Sequence, residues 1–373
     1  MLNEEIKRRL HTKYVLLSVI AVFILTMGLN VMIVSGQKDL PKIVKEESVY
    51  SGKITEDKLY LGLKKVRDEK SDEIKYQPLV GYIYGLVSSY PGVLYSENRI
   101  EDFKDEYAKN FYECWKKKFI KILERIPKQE RNKALKEIHK VKTPFVRFEA
   151  CYFWNYGIDN LKVIFLIIIF MVTFFAAATY SESIEDGSME IIFATKLKKK
   201  LLLLRLIPVI MYGVILVLAA LLGTGLVLGT TAGFNGLNSS FKVYALFSIG
   251  NFTLGGAMIL MTISEILGIF ALATMLAWIS IKTSKTSLST VIGIAINIFY
   301  LITIFAKIPG RIFKVITNLL PIASSQIIND LSGFSFYMGL WSPYRIIIGM
   351  IIVLIVFLTL LIREISKPWG RLS

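Results

Sequence analysis

Apolar residues along the chain gather in long blocks, not in the short periodic stripes of soluble domains. Six blocks approach or exceed the roughly 20 residues that a helix needs to cross a bilayer. They lie at 14–34, 161–180, 204–228, 259–281, 288–306 and 345–363. The pattern predicts an all-α polytopic membrane protein with six transmembrane helices. The stretch 241–258 is also fairly apolar, and a seventh span there is the alternative.

The segment between the first two blocks, 37–160, is polar and predicts a separate, mainly helical domain. Apolar residues recur at steps of three or four from Phe103 to Ile126 and again from Ala134 to Val141. The first of these stripes is aromatic, and it is either core packing or a surface that contacts substrate. Thr55 marks a helix start, and the broken apolar stretch 79–95 is expected to pack inside the domain.

The net charge is +16, from 45 Lys and Arg against 29 Asp and Glu. The positions of the basic residues indicate how the chain is oriented in the membrane. With six spans, four basic clusters fall on one side, which the positive-inside rule assigns to the cytoplasm. We therefore expect a bacterial cytoplasmic membrane protein with both termini inside and 37–160 outside. The charge then reflects orientation and contact with anionic lipid, and no nucleic-acid partner is expected. The clusters are Lys7, Arg8, Arg9 and Lys13; Lys196 and 198–200; Lys282 and Lys285; Arg363, Lys367 and Arg371.

Few residues offer chemistry of their own. Cys114 and Cys151 both lie in the external segment, where a disulfide is permitted, with free thiols as the alternative. No catalytic residue and no metal site is predicted, and the chain has no Walker A sequence to bind ATP phosphates. Glu265 is the one acid close to membrane depth, either a weak candidate for a substrate path or a solvated residue near a helix start.

The loop from Ser181 to Arg205 carries the strongest signal. Acidic residues gather at its start and lysines at its end, as the helix dipole favours. Ser188 is the expected N-cap. The predicted result is a short amphipathic helix at 185–197 that docks on a soluble partner or lies in the lipid interface. Its apolar face is expected to consist of Met189, Ile192, Phe193 and Leu197.

This loop resembles the permease subunits of type 2 ABC transporters. The shared pattern is E-x-G-[ST]-x-E, two apolar residues, a turn and a basic cluster, although Lys196 stands where the family usually has proline. Here the pattern comprises Glu185, Gly187, Ser188, Glu190, Ile191, Ile192, Lys199 and Arg205.

The resemblance implies a fold and partners. Residues 1–36 would form an interfacial helix and the first span, and 161–373 the other five. An extracellular re-entrant hairpin at 307–344 and a polar entry to the fourth span at 261–265 would complete the fold. The loop would be the coupling helix that seats on a separate ABC ATPase, which binds ATP and Mg²⁺. A second permease would complete a homo- or heterodimer.

The expected function is therefore that of a permease in an ATP-driven exporter, with no enzyme activity of its own. Its largely uncharged spans suit an amphiphilic substrate. A peptide is the first choice, ahead of a lipid-like molecule or a drug. The alternatives are a four-span permease that transmits force mechanically and a receptor whose external domain binds a ligand.

Overall fold

Six of the described helices are long and apolar enough to span a membrane, as predicted. The computed structural model describes residues 2–37, 40–69, 78–88, 103–124, 126–145, 147–306, 311–337 and 339–367. The alternative of a seventh span at 241–258 is not formed: residues 241–243 form a single 3₁₀ turn, and no helix follows until Leu254. The six candidate spans are Lys13–Ser35, Tyr152–Glu185, Lys198–Ala232, Leu254–Thr283, Thr286–Phe305 and Ser342–Ile365.

The helices are numbered in chain order. The first eight are α1 (Leu2–Leu10), α2 (Lys13–Ser35), α3 (Leu40–Val49), α4 (Glu56–Glu69), α5 (Val80–Ser88), α6 (Glu106–Lys109), α7 (Phe111–Leu123) and α8 (Lys128–His139). The others are α9 (Tyr152–Glu185), α10 (Ser188–Ala194), α11 (Lys198–Leu204), α12 (Leu206–Ala232), α13 (Leu254–Thr283), α14 (Thr286–Phe305), α15 (Arg311–Asn318), α16 (Ile327–Leu331) and α17 (Ser342–Ile365).

The spans form a bundle in which α9, α12 and α13 are the most buried, with α2, α14 and α17 packed around them. α9 starts nine residues before the predicted boundary at 161. Its 34 residues give a length of about 50 Å, well beyond the roughly 30 Å hydrocarbon core of a bilayer. The second span therefore rises out of the bundle and enters the region formed by α3 to α8.

The helices α3 to α8 pack against one end of the bundle, which we call the domain end. Their core is the predicted aromatic stripe, since Phe111, Trp115 and Phe119 are all fully buried. This burial confirms core packing and leaves these rings no surface for a substrate. The Trp115 indole N–H donates to the carbonyl of Leu246 at 3.0 Å, which joins these helices to the segment between α12 and α13.

Two sequence-predicted details of this region agree with the structure. α4 starts directly after Thr55, whose Oγ1 accepts the backbone N–H of Lys58 at 3.4 Å. α5 buries Val80 and Ile83, so the first part of the stretch 79–95 packs inside as expected. Residues 89–95 lie outside the described residues.

The predicted hairpin at 307–344 is built from several short elements. α15 is followed by a 3₁₀ helix, Pro321–Gln326, then α16 and an antiparallel pair of strands, β1 (Phe336–Tyr337) and β2 (Leu340–Trp341). The 3₁₀ helix packs on α13 and α9 and is buried from Pro321 to Ser325. On α15, the side chains of Ile312 and Ile316 are largely exposed.

The opposite end of the bundle, which we call the basic end, carries α1, α10, α11 and the turn between α13 and α14. The predicted N-terminal helix is α1, and the Thr12 hydroxyl starts α2 by accepting the backbone N–H of Val15 at 3.3 Å. Lys282 on α13 pairs with Glu364 on α17 at 3.0 Å. Of the last basic cluster, Arg371 lies outside the described residues.

Candidate functional site

The chain turns sharply at the basic end between α9 and α10. Gly187 has φ +76°, a left-handed conformation that favours glycine. The Asp186 carboxylate accepts the backbone N–H of Ser188 at 2.8 Å. Hydrogen bonds from the hydroxyl and the backbone of Ser188 hold the pKa of Asp186 below its usual range. The predicted N-cap role of Ser188 is therefore wrong: Ser188 is the first helical residue, and Asp186 supplies the capping oxygen.

The apolar residues of α10 divide between an inner and an outer side. Met189 is 1% exposed, while Ile192 and Phe193 are half-buried against the same cluster of side chains. Ile191, by contrast, is 71% exposed. Leu197 is 54% exposed and follows the last residue of the helix, so it does not share its face. The inner cluster contains Tyr180, Leu202, Leu206, Ala277, Ile281, Leu361 and Ile365.

This division corrects the predicted docking face. Met189, Ile192 and Phe193 hold α10 onto its own bundle, because the spans α9, α12, α13 and α17 supply the apolar partners. Exposed side chains here include Glu190 and Ile191 of α10 and Leu197, three residues beyond its end. We call these three residues the exposed edge of α10.

Glu185 connects this segment to the fifth span. Its two carboxylate oxygens accept the backbone N–H of Thr286 at 3.1 Å and the Thr286 hydroxyl at 2.7 Å. Thr286 is the first residue of α14, where a negative charge stabilises a helix N-terminus. These two hydrogen bonds join the end of α9, just before the turn into α10, to the start of α14.

An ion cluster, formed by Glu5, Arg9 and Arg205, fixes α1 against α9 and the start of α12; both arginines are buried and Glu5 is half-buried. The Glu5 carboxylate lies 3.2 Å from Arg9 Nε and 3.7 Å from Arg205 Nε. Both arginines also donate to α9, Arg9 to the Thr179 carbonyl at 2.9 Å and Arg205 to the Ser183 hydroxyl at 2.6 Å. Sequence reasoning missed this cluster because Arg205 lies 200 positions from Glu5 and the further acceptors on α9 belong to a third segment.

A groove of about 660 Å³ opens between α1 and α11, beside α10. Charged residues of α1 form one wall, and apolar residues of α10 and α11 form the other. Such a mixed lining is suited to an amphipathic protein segment. The lining residues are Glu4, Glu5, Lys7, Arg8, Ile192, Leu201, Leu204 and Arg205.

Glu265 is fully buried within the bundle, so the predicted solvated role near a helix start is wrong. It lies 11 residues after Leu254, which places it about 17 Å along α13. Ser324 of the hairpin donates to its Oε2 at 3.2 Å. Its Oε1 has no hydrogen-bond partner among the described residues. An acid at this depth joins the hairpin to the fourth span and is a functional candidate.

Cys114 and Cys151 are free thiols, so the disulfide that the sequence permits is not formed. Cys151 is buried directly before α9, whereas Cys114 is half-buried on α7. Within the described ranges, no three His, Cys, Asp or Glu side chains are grouped as metal ligands.

No family model, no curated protein and no solved structure matches this chain.

Proposed function

We propose that the chain is the permease subunit of an ATP-driven exporter and that α10 receives force from a separate ABC ATPase. The observation that carries the proposal is the position of α10: a seven-residue helix held between the second and third spans, with Ile191 and Leu197 turned away from the bundle. An exposed isoleucine beside a glutamate and a lysine cluster suits a protein groove with both apolar and charged walls. The basic end is then cytoplasmic, as the positive-inside rule expects.

The contacts of α10 define how force would spread. Met189 transmits it into the core cluster, Glu185 into α14, and the ion cluster of Glu5, Arg9 and Arg205 into α1. Interfaces of this kind move as rigid units because packed cores do not deform continuously. Closure of the ATPase subunits would therefore shift α9, α12 and α14 together, and a second permease would supply the other wall of the path.

An amphiphilic substrate, with a peptide first, fits the polar groups inside this apolar bundle. The Asn297 amide on α14 donates to the Thr173 hydroxyl on α9 at 2.8 Å, and the Glu265 carboxylate on α13 accepts a hydrogen bond from Ser324 of the hairpin at 3.2 Å. These groups can exchange partners with a polar substrate atom when the helices separate, while the surrounding side chains accept its apolar part.

The test is assembly and ATPase coupling with ABC ATPases encoded in the same genome. Ile191→Asp and Leu197→Asp together place two carboxylates on the exposed edge of α10 and should abolish co-purification and stimulated ATP hydrolysis. The matched control is Ile120→Asp, which adds a carboxylate at an exposed site on α7 and should leave both intact. Met189 is unsuitable for this test because an acid there would disrupt the chain's own core.

Retention of full assembly and coupling by the Ile191→Asp, Leu197→Asp variant would refute the docking role of α10. The described residues contain five candidate spans after the polar domain, whereas the four-span alternative requires only three, so the spans favour the first proposal. A receptor without transport would show no ATPase partner in the same experiment.

A further inference from the structure

A second cavity lies at the domain end, far along the chain from α10. It occupies about 290 Å³, a volume on the order of ten water molecules. Three segments form its walls: residues 141–145 with Arg147 after α8, residues 238–242 after α12, and residues 251–253 before α13. The lining residues are Val141, Lys142, Phe145, Arg147, Asn238, Ser240, Lys242, Asn251, Phe252 and Thr253.

Backbone and side-chain hydrogen bonds fix these three segments together. The Ser240 N–H donates to the Arg147 carbonyl at 2.8 Å, and the Phe241 N–H donates to the Phe252 carbonyl at 2.9 Å. The Asn251 amide donates to the Lys140 carbonyl at 3.2 Å. The cavity is therefore a built feature of the junction between the polar helices and the bundle.

Lys242 is the unusual member of this lining. Its side chain is 2% exposed, yet its Nζ has no hydrogen-bond partner in the part of the chain that the structure describes. A buried ammonium normally has an acidic or carbonyl partner, since desolvation of an unpaired charge is costly. Burial alone lowers the pKa of Lys242 to about 7.

The surroundings of Lys242 are electropositive. Lys142 and Arg147 line the same cavity, and none of its described lining residues is acidic. Arg147 shares its charge with Glu149 through a 2.8 Å ion pair. Two asparagines and two hydroxyl residues add further donors, which a tetrahedral anion with several acceptor oxygens can use from different sides.

We propose that this cavity binds the phosphate group of an anionic ligand, with the Lys242 ammonium as the central cation. Lys142 and Arg147 add charge at the rim, and the amides of the cavity complete the donor set. The site adjoins Thr253, the residue that begins α13, so it lies at one end of a candidate span. A phospholipid headgroup and a free phosphate both reach this position. The proposal is independent of the ATPase assignment.

The experiment uses the full chain in a maltoside detergent with sulfate as the probe, because sulfate keeps the same charge between pH 6 and pH 8. Sulfate should raise the melting temperature of the wild type with a clear saturation. Lys242→Met keeps the side-chain length without the charge and should weaken sulfate binding by about tenfold or more. The matched control is Lys116→Met, at an exposed lysine on α7, which should bind as the wild type does.

The pH dependence supplies a readout that a purely structural lysine would not change. Lys242 must hold its proton to bind, so sulfate should bind the wild type more tightly at pH 6 than at pH 8. Lys242→Met should lose that difference. His139 is exposed on α8, two residues before the cavity. The variant His139→Gln should bind sulfate more tightly at pH 6 than at pH 8, as the wild type does. Lys142 and Arg147 remain unchanged in all three proteins.

Competition with sulfate identifies the source of the phosphate. Displacement by dihexanoyl phosphatidic acid at lower concentration than inorganic phosphate assigns a lipid headgroup, and equal or weaker displacement assigns free phosphate. The proposal is overturned if folded Lys242→Met binds sulfate as the wild type does, or if the wild type binds neither sulfate nor either competitor. Folding of Lys242→Met is expected, because it replaces a buried unpaired charge with an apolar side chain.

Discussion

At the scale of single residues, Glu47 shows how the polar helices are fixed to a span. It lies on α3 and is 2% exposed. Its carboxylate accepts the backbone N–H of Tyr152 at 3.0 Å, at the first residue of α9. Burial raises the pKa of Glu47 to about 7, although hydrogen bonds from the backbone of Cys151 and Tyr152 act in the opposite direction. The junction therefore contains an acid that titrates near neutral pH.

This acid predicts a pH-dependent stability. Because the folded pKa lies above the unfolded value of 4.5, the folded chain binds the proton more tightly. Its contribution to the free energy of unfolding is greatest below about pH 4.5 and falls as the pH rises towards 7. The loss is at most about 3 kcal/mol. Melting temperatures at pH 5 and pH 8 should show the decrease in the wild type and a smaller one in Glu47→Gln.

The matched control for Glu47 is Asp68→Asn, at an exposed acid on α4, which should follow the wild type at both pH values. Equal pH responses in Glu47→Gln and the wild type would contradict the assignment of this titration to Glu47.

At the scale of elements, the hairpin enters the bundle because α13 has a glycine where the two meet. A Cβ built at Gly268 would lie 2.0 Å from Ser324 Oγ and 2.9 Å from the Pro321 carbonyl. A side chain there would push the 3₁₀ helix away from α13 and separate Ser324 from Glu265. The small residue thus sets the depth of the hairpin.

Gly268→Ala should destabilise the chain by about 1 to 3 kcal/mol, the usual cost of overpacking a core. The control is Gly81→Ala on α5, where a Cβ would meet no atom within 4 Å and where alanine favours the helix. Thermal unfolding followed by tryptophan fluorescence should show a lower midpoint for the first variant only. An unchanged midpoint in Gly268→Ala would contradict this role of Gly268, because it would mean that the 3₁₀ helix can move away from α13 without a loss of stability.

Some structural elements can be predicted from the sequence, and others cannot. The long apolar blocks predict all six spans because length and hydropathy are local properties. The face of α10 was predicted wrongly, since a stripe of apolar residues does not reveal whether it packs on its own chain or on another. Arg205 illustrates a further limit: its role depends on Glu5, 200 positions earlier. Lys242 likewise has no local signal, because its burial arises from three separate segments.

At the scale of the whole molecule, the two ends of the bundle differ in kind. The basic end gathers α1, α10 and α11 around one ion cluster, whereas the domain end gathers α3 to α8, the hairpin and the Lys242 cavity. The spans α9 and α13 connect both ends, so a displacement of α10 reaches the hairpin through continuous helices. This arrangement is what a permease requires if ATP is hydrolysed at one end and the substrate leaves at the other.

Photo-crosslinking from the exposed edge of α10 tests most directly whether this helix docks on an ABC ATPase. A benzoylphenylalanine placed at Ile191 should crosslink in living cells to a polypeptide whose peptides include a Walker A sequence. The same probe at Leu222, an exposed residue of α12, should give no such product. Crosslinks from Ile191 that contain only lipid or other proteins, with the chain expressed in its native host, would contradict the proposal that α10 docks on an ABC ATPase.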